Sequence, residues 1–182
     1  MSARNPPGAR PRSFITSKYE FQFAHVPALL QTEDYARDTF VNSGESYTEE
    51  EIETLVKVRM RQQQRLFDKP RIKLHALIHE SILQREIGQE QIFRLIELAD
   101  LRNVTIQVVP QSTKMPPGLS GSAVILSFDD ADEPDVAFTD TLVELVEIQE
   151  KRRVGIVRNT LRRLEATALS PQATVSLLKE TT

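Results

Sequence analysis

The overt chemistry of this chain rests on three histidines, His25, His75 and His79, and a few well-placed carboxylates. His75 and His79 stand four apart in the alternating stretch RIKLHALIH, so both leave the same side of an extended strand. Glu80 follows directly. Two imidazoles and a carboxylate at even strand spacing are one way to hold a divalent metal. The bare H-x-x-x-H-E pattern is weak, however, and two histidines sharing the less apolar side of a strand account for it more simply. No metal or cofactor is therefore assigned. His79 and Glu80 also suit acid–base chemistry if burial tunes their pKa values. Glu80 has a plainer role too, as the negative charge at the start of the turn after the strand. Arg59 and Gln63 are the polar exceptions on an apolar helical stripe and lie one turn apart. They either snorkel at its rim or face a pocket. The carboxylates Asp129, Asp130, Asp132 and Glu133 lack the spacing and glycine of a calcium loop and read as a solvated hairpin turn. Glycine-rich phosphate loops, the GxSxG elbow and HExxH are missing. The chain has no cysteine, which excludes disulfides, thiolate metal sites and a cysteine nucleophile.

The elements that position these groups centre on Arg71 to Pro110. Ile72, Leu74, Ala76 and Ile78 alternate with Lys73, His75, Leu77 and His79, which is the period of a strand. Ile92, Leu95, Ile96 and Ala99 recur at helical spacing between Gln89 and Asp100. After Asn103, Val104, Ile106 and Val108 alternate again until Pro110. A strand, a helix and a strand in that order predict a parallel pair with a crossover helix.

Around this unit, Phe14 to Ala24 reads as an extended segment, taken as an edge strand. Ala28 to Asn42 reads as a helix with a break at Thr32, whose following Glu33 and Asp34 resemble a cap for a second short helix. Thr48 and Glu51 form a capping box for a helix whose stripe runs through Ile52, Leu55, Val56, Arg59, Met60, Gln63, Leu66 and Phe67. Residues 111–121 read as a loop, a connection or a flap over a site. Ser122 to Phe128 is apolar on both sides and reads as an inner strand. Asp135 to Thr139 is a further candidate strand, and Leu142 to Ile148 reads as another strand in preference to the start of the next helix. Gln149 to Leu169 predicts a long helix with Val154, Val157, Leu161, Leu164 and Ala168 buried. Its arginines read as a solvated face rather than a phosphate-binding one. Ser170 and Pro171 open a last short helix. The expected fold class is α/β (α+β): a mixed sheet of about four to five strands with a βαβ unit, covered by helices.

The 182 residues, 40% hydrophobic and 27% charged, suit one globular domain over 14–182. Residues 1–13, rich in Pro, Gly and Arg, are expected to form a disordered arm. A formal net charge of −3 implies neither a nucleic-acid nor a strongly charged partner. No apolar run nears the ~18 residues of a membrane span, and the N-terminus lacks a secretory core. A cytoplasmic location is expected.

Taken together, several segments resemble DUF5753, a domain found in actinobacteria behind a repressor-type helix-turn-helix in antitoxin-like regulators. Val26-Pro27-Ala28-Leu29-Leu30-Gln31-Thr32-Glu33-Asp34-Tyr35-Ala36-Arg37 is similar to its VPGLLQTxxYAR signature, with Ala28 where Gly is usual. Arg59, Arg61 and Gln63 fall on its RxRRQ-like run, with Gln62 replacing an Arg. Glu80, Leu83, Arg85 and Gly88 match ExxLxRxxG. Asn103 to Pro110 is close to NVTVQVLP, Phe138-Thr139-Asp140-Thr141 stands where YxET is usual, and Ala168-Leu169-Ser170-Pro171 matches ALSP. About two dozen residues precede the signature, too few for a helix-turn-helix module. The resemblance therefore implies an effector domain without its DNA reader, and direct DNA binding is not expected.

Three functions follow as expectations. In the first, a regulatory module binds a small molecule or a partner protein, with Gln31, Arg59, Gln63, Glu80, Arg85 and Asp140 lining one hollow between the glutamate-rich helix and the sheet. In the second, a stand-alone enzyme uses His79, Glu80 and Asp140 as acid and base, with Arg59 holding an anion. In the third, the domain is a scaffold that takes no ligand. Association into a homo-oligomer is compatible with all three.

Overall fold

The computed structural model describes residues 14–181 apart from Glu86, Pro117, Gly118, Ser120, Ala131 and 141–143. The expectation of a disordered arm over 1–13 lies outside the described residues. The chain runs β1 (Ile15–Gln22), a 3-10 turn (Ala28–Leu30), α1 (Glu33–Val41), α2 (Glu49–Gln63), β2 (Lys73–His79), α3 (Gln89–Ala99) and β3 (Val104–Val109). It continues with β4 (Ala123–Phe128), β5 (Val136–Asp140), β6 (Leu145–Ile148), α4 (Lys151–Glu165) and α5 (Pro171–Glu180). The strands form one mixed six-stranded sheet in the order β3-β2-β1-β4-β5-β6. β1, β2 and β3 pair in parallel, while β4, β5 and β6 are joined antiparallel, starting on the other side of β1. Among the described residues, no helix is long and apolar enough to cross a membrane.

Local chemistry sets the boundaries. Thr32 accepts the Tyr35 amide and starts α1, so the turn before it and the helix are separate elements. Thr48 and Glu51 complete the capping box of α2. Gly88, at φ 77°, turns the chain into α3 in a conformation that a Cβ disfavours. Ser170 caps α5, with Pro171 in its first turn.

The alternation in β2 feeds two cores. Leu74, Ala76 and Ile78 pack with Ile92, Leu95 and Leu98 of α3 and Leu178 of α5. Leu77 faces the other way, with Phe21, Ile125 and Ala137 of the sheet and Val154, Leu161 and Leu164 of α4. A strand buried on both faces is what the near-continuous apolar run of β2 requires.

Two expectations need correction. The sheet has six strands, not four to five. β1 is also central rather than an edge, lying between β2 and β4. Its Lys18, Glu20 and Gln22 look like edge polarity in the sequence, yet Glu20 is wholly buried. Its carboxylate is met by Lys18 Nζ at 2.9 Å, a contact without hydrogen-bond angles at Oε1, and by the Gln22 amide at 2.9 Å. The actual edge at β3 is sealed by the end of the chain. Thr174 accepts the Val108 amide at 3.0 Å, and the Leu169 amide donates to Val108 O at 2.8 Å.

Candidate functional site

The carboxyl ends of β1, β2, β3 and β5 lie at one end of the sheet, because β5 runs antiparallel to β4 and so parallel to β1. The direction of strand order also reverses here, with β2 on one side of β1 and β4 on the other. Crevices at such points are the usual place for ligands in open α/β sheets. The chain leaving β1 carries Phe23 and His25, and β2 ends on His79, Glu80 and Ser81. Glu80 accepts the Gln111 amide at 2.7 Å and so fastens the segment after β3. Arg85 donates to Ala24 O at 2.8 Å. The His79 ring packs 4.7 Å from the Phe23 ring, and its Nδ1 lies 2.7 Å from Ser81 Oγ. Asp140 closes β5, its amide 3.4 Å from Ser122 O.

Burial, and then the Arg85 charge, holds His25 below its ordinary pKa of 6.5, with Asp140 acting against them. Burial also lowers His79. Glu80 opposes that shift and Arg85 adds to it. Both imidazoles therefore favour the neutral form at pH 7. Next to this rim opens a recess of about 520 Å³ between α1 and the segment of Arg85 and residues 87–91. His25, Arg85, Thr32, Tyr35 and Asp38 are among its walls.

A second cluster lies between α2, α3 and the 3-10 turn. Gln31 Nε2 donates to Val26 O at 2.8 Å, and Arg59 donates to Gln31 Oε1 at 2.6 Å. Gln63 Nε2 reaches Gln31 O at 2.8 Å and Ala28 O at 3.1 Å. Gln91 bonds Leu30 O and accepts the Thr32 amide, both at 2.8 Å. The Val26–Thr32 segment has no sheet or long helix to satisfy its backbone, and these side chains do so instead. Arg59 also lies over the Phe40 ring at 4.9 Å. Burial lowers its pKa against the raising charge of Glu20.

A family model described as "Domain of unknown function (DUF5753)" matches residues 16–180. The chain belongs to the DUF5753 family. No curated protein and no solved structure matches it.

In this DUF5753 domain the six residues expected to share one hollow fall into two groups. Gln31, Arg59 and Gln63 meet one another within the glutamine cluster. Glu80, Arg85 and Asp140 stand at the carboxyl end of the sheet with His25 and His79. Of the six, Gln31 and Gln63 line a shallow recess beside α3, and Arg85 lines the recess beside α1. On the stripe of α2 Gln63 is buried and Arg59 half-buried, rather than both resting at the rim with heads in water, and periodicity does not show the partners they take.

His75 and His79 share a side of β2 as expected, yet they take different partners. His75 stacks on Tyr19 at 4.8 Å, with Nε2 2.7 Å from Gln107 Oε1. Among the described residues no group of three His, Asp or Glu side chains is placed to hold a metal ion. The sequence reading missed three residues. Gln91 sits four before Leu95, on the buried stripe of α3, and that position was its signal. Glu20 interrupts an aromatic alternation of Tyr19, Phe21 and Phe23. Ser81 had no signal at all.

Proposed function

We propose that this domain is a ligand-reading effector module that takes a small polar molecule in the recess at the carboxyl end of its sheet. One observation carries the reading: His25 and Arg85 belong at once to the recess wall and to the cluster where four parallel strand ends converge. The volume falls within the range of roughly 300–1,000 Å³ that small-molecule sites occupy. The walls carry both signs of charge, Arg85 against Asp34, Asp38 and Glu90, which suits a guest bearing both an amine and an acid group. The glutamine cluster serves this role indirectly, by fixing the segment from which α1 starts.

Native mass spectrometry of gently purified protein tests the reading. The expected result is a small-molecule adduct, released on collisional activation, that is lost in Arg85→Ala. A bare wild-type mass, with no stabilisation by any amino-acid-like compound in a thermal-shift series, defeats it.

A second reading, an enzyme, has one observation in its favour. Ser81 Oγ lies 2.7 Å from a neutral, buried His79, as a nucleophile and its base would. The same His79 nitrogen accepts the Ser81 amide at 3.3 Å, which makes it the cap of the following turn. Ester hydrolysis above background that vanishes in Ser81→Ala would establish the enzyme.

A further inference from the structure

The two cores leave out one apolar part of the sheet, whose residues are half-buried except for the exposed Leu145. α4 packs on one face of β4, β5 and β6, against Ile125, Ala137 and Ile148. The residues that alternate with these point the other way: Val124, Leu126 and Phe128 on β4, Val136 and Phe138 on β5, and Leu145 on β6. None of them belongs to either core. They are also contiguous, since Val124 pairs with Phe138, Leu126 with Val136, and Asp140 with Leu145. Leu145 is 60% exposed, and Phe14 at the margin is 61% exposed.

The rim of this face is acidic. Glu133 and Glu147 stand on it, and the hairpin that joins β4 to β5 adds Asp129, Asp130 and Asp132. Among the described residues none of these five carboxylates has a cationic partner. Arg65, which lines this face, is turned to Ile15 O at 3.0 Å and lies 5.9 Å from the Phe14 ring centroid, and Lys18, opposite Leu126, is turned to Glu20.

We infer that the open face of β4–β5–β6 docks a basic amphipathic helix of a partner protein. Size supports a helix. Three strands about 4.8 Å apart and about 17 Å long match a helix roughly 10 Å across and three turns long. Charge selects its flanks, because lysines and arginines beside an apolar stripe would meet the unpaired carboxylates. The same charge argues against three other occupants. Nucleic acid and anionic membranes are repelled, and a second copy of this chain, itself at −3, would bring the same acidic hairpin with it. This surface is distinct from the recess by α1, so the inference stands apart from the ligand reading.

The test is titration of the isotope-labelled full chain with a synthetic Leu/Lys helical peptide of about 16 residues, and with its Leu/Glu counterpart. The expected result is amide shift changes confined to β4, β5 and β6 with the Leu/Lys peptide only. Affinity should be about tenfold weaker in Glu133→Lys/Glu147→Lys, two changes outside both cores, and lost in Phe138→Ser. Shifts elsewhere, no shifts, or equal binding of the acidic peptide would overturn the inference. So would a dimer of the free chain, seen in sedimentation and dissolved by Phe138→Ser, since a second copy would then be the occupant.

Discussion

Gln63 is 3% exposed and gives one side-chain amide to two backbone carbonyls. Replacing it with leucine keeps the bulk and strands both acceptors. The expected cost is about 1–3 kcal/mol in urea unfolding, whereas Gln62→Leu, one residue away on the exposed side, should be near neutral. The histidines give a pH prediction. His25 and His79 both have folded pKa values below 6.5, so the unfolded chain binds more protons as pH falls past that value. Stability is then fully present above about 6.5 and declines as pH drops toward the lowered folded values. A His25→Gln/His79→Gln variant should show a flatter stability profile between about pH 6.5 and 5, measured by denaturant midpoints. At this scale the sequence revealed which side chains were out of place but not what they were for. Gln31, Gln63 and Gln91 answer to carbonyls of a segment with no regular structure, and periodicity carries no record of such partners.

The helices and most strands were legible because their causes are local. The capping box at Thr48, the Ser170-Pro171 start and the change of period between Ile78 and Ile92 all act within a few residues. β1 was misplaced for the opposite reason. It lies between β2 and β4, strands far off in the chain, and its buried Glu20 is met by Lys18 and Gln22 of β1 itself, so its pattern imitates a solvated edge. One real edge, β3, depends on α5, which makes a prediction at this scale. Thr174→Val leaves the buried Val108 amide without an acceptor. It should cost about 1–3 kcal/mol and speed amide exchange along β3 more than along β1. Uniform exchange across the sheet would show that α5 does not protect this edge.

The described residues form two cores that share β2 and β3. Leu77 and Ile78 are neighbours in β2, yet each is buried in a different core. Leu77→Ala and Ile78→Ala should each lose about 2–5 kcal/mol, and each should still unfold in one transition, with near- and far-ultraviolet dichroism superimposed. Two separated transitions would mean that the cores melt independently. Thr32 shows how tightly the parts are joined: its side chain caps α1, its amide is held by Gln91 of α3, and it lines the recess. The neighbouring Gln31 carbonyl is gripped by α2 through Gln63. A guest seated in the recess would press on a corner tied to α1, α2 and α3 together, so its arrival would register in all three helices at once.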